Sequence, residues 1–449
     1  MNRPIEKYVE EGAYPDAHHP RKKRRAPALP SGTRPRVLLL QGPVGPFFRH
    51  LQQHLEDSGF DAWRICFNAG DRFFASRKKR VDFSGDLDEW EAWFTAFVAE
   101  GGFRQVILFG SGRPIHRVAC KAAKAIGVRI LSLEEGYIRP GYVTVEPDGN
   151  NADSPLAGRL PPEDFVEDRK AQEQAVDYDS FRIMAFYAAV YYLVRALFST
   201  PRQARLFHRR VSVCVEIACW IRNAWRRFVG QGRNFAAIQR LLEHYHQRYF
   251  LIPLQVAGDS QMGEPARGWN SARLIAETLS SFAKSARADY RLVFKIHPME
   301  RGHSTDRKFI MQTACALGIA DRVDVIDIGS LGLLTRHSAG MITINSTSGL
   351  SAIFHGVPLL VIGDALYAND KLAVCGNGQP NFDAFWTCGH RVSAAIRRRY
   401  LSWIRATCLQ AGDYYAEAGI IKTETALGVM LGAETLFAGA SSRPLMKAR

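Results

Sequence analysis

Short apolar runs alternate with amphipathic stretches through the first third of the chain. The runs are the length of buried strands and lie at residues 36–40, 62–67, 105–109 and 129–133. Between them, apolar residues recur at helical spacing over residues 47–59, 86–100 and 115–126. An alternation of strand and helix is typical of a parallel, doubly wound sheet. We therefore predict an α/β, Rossmann-like domain over residues 35–165.

The pattern changes over residues 166–245, which contain no convincing strand and are rich in arginine and aromatic residues at helical spacing. This composition predicts two or three helices inserted between domains. Some arginines could form one basic face: Arg202, Arg205, Arg209, Arg210, Arg222, Arg226 and Arg227. Such a face could be an ordinary solvated helix surface, or it could contact an anionic membrane.

A second series of strands begins after this insert. Its apolar runs lie at residues 249–256, 291–296, 323–328, 341–344 and 358–362. They predict a second Rossmann-like domain over residues 246–393, followed by helices over residues 394–449. Two successive α/β units with a helical tail indicate a GT-B-like architecture, in which two Rossmann-like domains face each other across a cleft.

Charge and composition narrow the function classes only partly. The chain has 449 residues and a net charge of +15, some of it in a basic lead over residues 1–34 that we expect to be disordered. A basic surface can serve nucleic acid, an anionic membrane, or phosphorylated and carboxylated substrates. No aromatic–basic recognition motif accompanies the charge, so we expect no nucleic-acid partner.

The location of the protein is predicted from its cysteines and apolar segments. Its eight cysteines are scattered without a CxxC pair, which favours buried thiols in a reducing compartment. The N-terminus lacks the apolar core of a signal peptide, and arginines interrupt the most apolar stretch, residues 181–199. We therefore predict a cytoplasmic protein without a membrane span.

Two short motifs follow strands of the second domain. Lys295, His297 and Pro298 lie at the end of one strand, and a small-residue run opens a helix after another. That run is Asn345, Ser346, Thr347 and Ser348. Free backbone N–H groups at such a helix start suit a phosphate. Alternatively, the His-Pro pair is a strand-ending turn and the Ser/Thr run is only a helix cap.

Carboxylates follow strands of both domains. Glu134 and Glu135 end a strand of the first domain, with Arg139 close by to pair with a substrate carboxylate. In a cleft, one of the two glutamates could act as a general acid or base, whereas on the surface the pair would carry no function. Asp259, near Gln261, follows the first strand of the second domain and could be a nucleophile or a helix N-cap.

Further candidates follow the first two strands of the first domain: Gly42, Gly45, Asn68 and Asp71. The glycine loop falls short of a dinucleotide-binding fingerprint, and no metal-ligand spacing or P-loop is present. We therefore expect no metal and no cofactor. The lack of a metal motif fits a nucleoside monophosphate leaving group, which carries less charge than a diphosphate.

Assembled in order, these segments resemble the capsular polysaccharide biosynthesis and export family of Gram-negative bacteria, and within it the β-Kdo transferases that start the lipid-linked linker. The resemblance rests on runs at residues 40–48, 67–71, 113–116, 134–140, 143–146, 254–261, 297–298 and 345–347. One departure is Asn150, where an aliphatic residue is expected between Gly149 and Asn151.

The resemblance implies CMP-Kdo as donor and a phospholipid or Kdo-lipid acceptor. It implies that His297-Pro298 and Ser346-Thr347 hold CMP, that Asp259 is the nucleophile of a retaining transfer, and that Glu135 is the acid/base. It also implies partners at the inner-membrane surface and among other capsule assembly proteins, hence a peripheral membrane location. The alternative is a non-catalytic component that binds lipid-linked polysaccharide for export.

Overall fold

The computed structural model describes residues 34–167, 176–206, 213–256, 258–387 and 390–441. The predicted lead over residues 1–34 lies almost wholly outside them. The strands are β1 (Arg36–Leu39), β2 (Asp61–Cys66), β3 (Arg80–Asp82), β4 (Phe103–Phe109), β5 (Arg129–Glu135), β6 (Tyr142–Pro147), β7 (Tyr249–Pro253), β8 (Arg291–Lys295), β9 (Val323–Ile326), β10 (Gly340–Thr343), β11 (Leu359–Val361), β12 (Val374–Cys375) and β13 (Leu409–Ala411).

The helices alternate with these strands, as the apolar spacing predicts. They are α1 (Phe47–Asp57), α2 (Ala69–Phe73), α3 (Leu87–Glu100), α4 (Pro114–Ala125), α5 (Phe181–Phe198), α6 (Pro201–Arg205), α7 (Val213–His244), α8 (Ser271–Ser285), α9 (Asp306–Ala316), α10 (Leu331–Arg336), α11 (Gly349–His355), α12 (Phe382–Phe385), α13 (Ala394–Cys408) and α14 (Glu417–Ser441).

The N-terminal sheet has the order β13-β6-β5-β4-β1-β2-β3. Strands β1 to β5 pair in parallel, whereas β6 pairs antiparallel with β5, and β13 antiparallel with β6. The C-terminal sheet has the order β12-β11-β10-β7-β8-β9 and is parallel throughout. In each sheet the chain changes direction beside its first strand, between β1 and β4 and between β7 and β10. Ligands of open α/β sheets bind at such switch points.

Both sheets are covered on their two faces, as parallel sheets require. On one face of the N-terminal sheet, α3 and α4 bury an aromatic cluster that includes Trp90 and Phe94. On the other face, Phe47 and Leu51 of α1 pack with Tyr414 and Leu427, so residues from the C-terminal end of the chain complete this core. The C-terminal sheet is covered by α8 and α9 on one face and by α7, α11 and α13 on the other.

The inserted segment contributes α5, α6 and α7, within the predicted two or three helices. Helix α5 packs on the N-terminal domain, where the side chain of Tyr191 is buried. Helix α7 packs on the C-terminal domain, where Asn234 Nδ2 donates to Asp327 Oδ1 at 3.0 Å. Each long helix of the insert is therefore anchored on a different domain.

The predicted GT-B-like fold is confirmed: two Rossmann-like domains, an inserted helical segment and a helical C-terminal segment. Two strands differ from the prediction. Residues 142–147 form β6, although their alternating pattern was not assigned to a strand, and β13 interrupts the predicted C-terminal helices. Of the cysteines expected to be buried, Cys66, Cys120, Cys219 and Cys408 are buried, whereas Cys315 is exposed.

Candidate active site

The switch points of the two domains meet in one cleft. The loop after β4, residues 110–112, contacts the single-turn 3-10 helix Ser260–Met262 that follows β7. A Cβ atom on Gly112 would lie 2.7 Å from Ser260 Oγ, so only glycine fits this approach. Side chains at the carboxyl ends of β1, β4, β7 and β10 therefore surround one space, which is the candidate active site.

A buried glutamine fixes an arginine on the N-terminal wall of the cleft. Gln41, directly after β1, is 3% exposed, and its Oε1 accepts a hydrogen bond from Arg113 Nη1 at 2.9 Å. Arg113 Nη1 also lies 3.3 Å from the carbonyl oxygen of Gly42, and its guanidinium stacks over Phe109. Arg113 is only half-buried, so a preoriented cation faces the cleft.

Asn68 and Asp71, predicted to contact substrate, lie beneath this wall. Their side chains are 2% and 1% exposed. Asp71 accepts hydrogen bonds from Gln41 Nε2 at 3.2 Å and from the hydroxyl of Tyr191 at 2.9 Å. Asn68 caps α2 by accepting from the backbone N–H of Asp71 at 3.0 Å. These residues position Gln41, and through it Arg113, from below.

The glycines of the β1–α1 loop are explained by packing. A Cβ atom on Gly42 would lie 2.7 Å from the ring of Phe48. Gly45 has a φ of +105°, and a Cβ atom there would lie 2.8 Å from the ring of Tyr187 on α5. Both glycines thus shape the loop, and the carbonyl group of Gly42 supports Arg113.

The two adjacent glutamates point in opposite directions. Strand β5 continues through Glu135, and successive side chains of a strand alternate between faces. Glu134 lies beside Gly110 and Arg113: its Oε2 is 3.3 Å from where a Cβ of Gly110 would be. Glu135 instead accepts a hydrogen bond from the hydroxyl of Tyr415 at 2.8 Å. Exposed Arg139 approaches Glu135, with its Nη2 4.0 Å from Oε2.

The pKa of Glu134 is raised to about 7, chiefly because burial removes water from its carboxylate. The backbone N–H of Glu135 and the charge of Arg113 oppose the shift, whereas Glu135 and Asp259 add to it. Electrostatic repulsion by Asp259 joins carboxyl groups of the two domains. A carboxyl with this pKa can both release and accept a proton near neutral pH.

Asp259 is held on the opposite wall. Its Oδ1 accepts a hydrogen bond from the backbone N–H of Gln261 at 3.0 Å, so the N-cap interpretation is correct for one oxygen. Its Oδ2 lies 3.5 Å from Gln255 Nε2, which also donates to Asn345 Oδ1 at 3.0 Å. Burial raises the pKa of Asp259.

Two polar atoms on this wall remain available for a ligand. Among the described residues, no hydrogen-bond partner is found for Gln261 Oε1 or Ser348 Oγ, although both atoms are buried. Gln261 is itself fixed, because its backbone carbonyl accepts from Asn345 Nδ2 at 2.8 Å. Buried polar atoms normally have partners, so these two fit a site that is completed by a substrate.

The two motifs of the C-terminal domain lie at neighbouring strand ends, since β8 and β10 both pair with β7. The ring of His297 is exposed, and its Nδ1 accepts from the backbone N–H of Met299 at 3.2 Å. Pro298 contributes its carbonyl oxygen, which accepts from Asn223 Nδ2 at 2.9 Å.

The Ser/Thr run combines helix capping with exposed hydroxyl groups. Ser346 Oγ accepts from the backbone N–H of Ser348 at 3.2 Å, and Thr347 is exposed. Lys295 lies deeper, at 7% exposure, and burial lowers its pKa to about 8 while Asp327 opposes the shift.

Three residues of the cleft were missed from the sequence as site residues: Gln41, Arg113 and Gln255. Gln41 and Gln255 follow the first strand of their domains, at equivalent positions beside the switch points. A polar residue directly after the first apolar run of each α/β unit was the available signal. Within the described parts of the chain, no group of three or more His, Cys, Asp or Glu side chains is arranged to hold a metal ion.

Sequence comparison relates the chain to proteins of bacterial capsules. A family described as "Capsule polysaccharide biosynthesis protein" matches residues 104–415. The capsule polysaccharide export protein KpsS of Escherichia coli is 32% identical over 389 residues, covering 85% of this chain and 97% of that protein. The capsule polysaccharide modification protein LipB of Neisseria meningitidis serogroup B is 33% identical over 346 residues, covering 74% of this chain and 81% of that protein.

Among solved structures, a Thermosulfurimonas dismutans KpsC, titled a beta Kdo 2,7 transferase, aligns over 86% of this chain and 98% of its own with 12% identity and a TM-score of 0.40. A second one, titled a beta Kdo 2,4 transferase, aligns over 83% of this chain and 91% of its own with 12% identity and a TM-score of 0.35.

Proposed function

The chain belongs to the capsule polysaccharide biosynthesis family, and on this premise we propose that it is a glycosyltransferase that moves β-Kdo from CMP-Kdo to a glycerophospholipid acceptor. The observation that carries the proposal is the convergence of two carboxyl groups, Asp259 and Glu134, from opposite walls of the cleft. Facing carboxyl groups suit a double displacement with retention, by analogy with retaining glycosidases.

In the first step the Asp259 carboxylate attacks the anomeric carbon of Kdo. The bond from that carbon to the phosphate oxygen breaks, and CMP leaves with the electron pair. Gln255 and the backbone of Gln261 hold Asp259 in place for this attack. His297, Ser346 and Thr347 are proposed to hold CMP at the neighbouring strand ends, and Arg113 to neutralise the Kdo carboxylate.

In the second step an acceptor hydroxyl attacks the same carbon and releases Asp259. Glu134 takes the hydroxyl proton, for which a pKa near 7 is well suited. We assign this role to Glu134 in preference to Glu135, because Glu135 is engaged by Tyr415 on the other face of β5. The acceptor places the protein at the cytoplasmic face of the inner membrane, among other capsule assembly proteins.

The test is incubation with CMP-Kdo and a lysophospholipid, followed by mass spectrometry of both lipid and protein. We expect CMP release, a lipid product one Kdo heavier, and a Kdo adduct on Asp259 that accumulates in Glu134→Gln. Asp259→Asn should lose adduct and product while still binding CMP.

Glu135→Gln is the matched control, because it makes the same change one residue away on the other face of the strand. Accumulation of the adduct in Glu135→Gln alone would return the acid/base role to Glu135. An active Asp259→Asn would show that another carboxylate is the nucleophile. Binding of lipid-linked polysaccharide without CMP release would favour a non-catalytic export component.

A further inference from the structure

Helix α7 carries a row of exposed apolar side chains. Ile221, Trp225 and Phe228 recur at helical spacing and are 66%, 67% and 77% exposed. The opposite side of the helix packs on the C-terminal domain, where Cys219 and Asn223 are buried. The row is therefore not a core face left uncovered, because the core face of α7 is already in use.

Helix α5 has the same two-sided construction. Phe186, Leu193 and Leu197 lie along one side and are 64%, 50% and 62% exposed. On the other side Tyr187 and Tyr191 pack against the N-terminal domain. The helix is 18 residues long with a mean hydropathy of 1.4, and only 6% of it is buried. Among the described residues it is the one helix long and apolar enough to cross a membrane.

The charge around these rows has one sign. Between Phe181 and Phe235 the sequence has ten arginines and a single acidic residue, Glu216. Not all of these arginines form the single basic face suggested by the sequence. Arg226 donates to the carbonyl oxygens of Arg301 and Ser304, and Arg205 pairs with Asp86. Arg209 and Arg210 lie outside the described residues. Exposed arginines remain beside both rows, at Arg182, Arg202, Arg227 and Arg233.

We propose that the exposed rows of α5 and α7 insert into the headgroup region of an anionic bilayer, with both helices lying in the plane of the membrane. Aromatic and leucine side chains bordered by arginines are the composition of such interfacial helices. The arginines add attraction to anionic lipid that a neutral surface cannot give. The surface deepens the proposed function, from which it takes a lipid acceptor.

Two other occupants fit the observations less well. A transmembrane α5 would carry Arg182 and Arg195 into or beside the hydrocarbon, and it would break the buried hydrogen bonds from Tyr191 to Asp71 and Asn68. A second copy of the chain would bring two arginine-rich surfaces together without acidic partners, which electrostatic repulsion disfavours.

The experiment is cosedimentation of the full chain with vesicles of phosphatidylcholine alone or mixed with phosphatidylglycerol, without donor or acceptor. We expect binding to the anionic vesicles that weakens as salt rises. The double variant Trp225→Ser/Phe228→Ser should bind about tenfold more weakly, because two large apolar side chains no longer enter the interface. The corresponding α5 variant, Phe186→Ser/Leu193→Ser, should also bind more weakly.

Phe354→Ser is the matched control, since Phe354 is 60% exposed on α11, away from both rows. Its binding should be unchanged, and unaltered CMP affinity should show that every variant is folded. Equal binding of all variants, equal binding to neutral and anionic vesicles, or concentration-dependent dimerisation abolished by the α7 variant would overturn the proposal. Transfer to a detergent-solubilised lysophospholipid separates the two proposals, because it tests the reaction without a bilayer.

Discussion

Replacing Glu134 by glutamine should stabilise the protein at high pH but not at low pH. The carboxyl group of Glu134 has a pKa of about 7 in the fold, against 4.5 for an ordinary glutamate. Below pH 4.5 the group is protonated in the folded and unfolded states alike. Between these two values the folded state keeps a proton that the unfolded state has lost, so stability falls as pH rises.

The size of the effect follows from the two pKa values. A tenfold difference in proton affinity corresponds to about 1.4 kcal/mol, so ionising Glu134 in the fold costs about 3 kcal/mol. Glutamine has nearly the same shape and carries no charge. The free energy of unfolding of Glu134→Gln should therefore equal that of the wild type near pH 4.5 and exceed it by about 3 kcal/mol at pH 8.

Urea unfolding at pH 5, 6, 7 and 8 measures this difference, because urea, unlike guanidinium chloride, does not screen charges. The curve of the difference against pH should rise through pH 5 to 7 and level off above. A difference that stays constant, or a variant that is less stable at pH 8, would refute the burial argument. So would a gain of the same size in Glu135→Gln, whose carboxylate accepts from Tyr415.

Three further predictions concern the walls of the cleft. Tyr191→Phe removes a hydroxyl that donates to buried Asp71, so we expect about 1–3 kcal/mol of destabilisation in urea, with Tyr187→Phe on the same side of α5 as the control. Gly112→Ala places a Cβ 2.7 Å from Ser260 Oγ and should lower transfer activity by separating the two loops, with little change in melting temperature. His297→Ala should weaken CMP binding by about 1.5–3 kcal/mol in calorimetry without lowering the melting temperature, because the ring is exposed.

The strand ends could be predicted from the sequence because apolar runs stop where polar residues begin, and both Rossmann-like sheets follow from that rhythm. The direction of the two glutamates could not. It depends on β5 continuing through Glu135, and one residue more or less in a strand exchanges its faces. The sequence also shows Asp71 after a strand, but not that Tyr191, 120 residues later, covers it.

The pairing of β13 with β6 has a consequence for how the protein folds during synthesis. Leu409 to Ala411 complete the N-terminal sheet, and Tyr414, Ile420 and Leu427 complete its core. The first domain to leave the ribosome therefore lacks an edge strand and a covering helix until the second domain has been translated. Its partly exposed apolar face must wait for the end of the chain, whereas the C-terminal sheet already has all its strands. A chain that stops after Cys408 should thus leave the earlier domain, rather than the later one, incompletely folded.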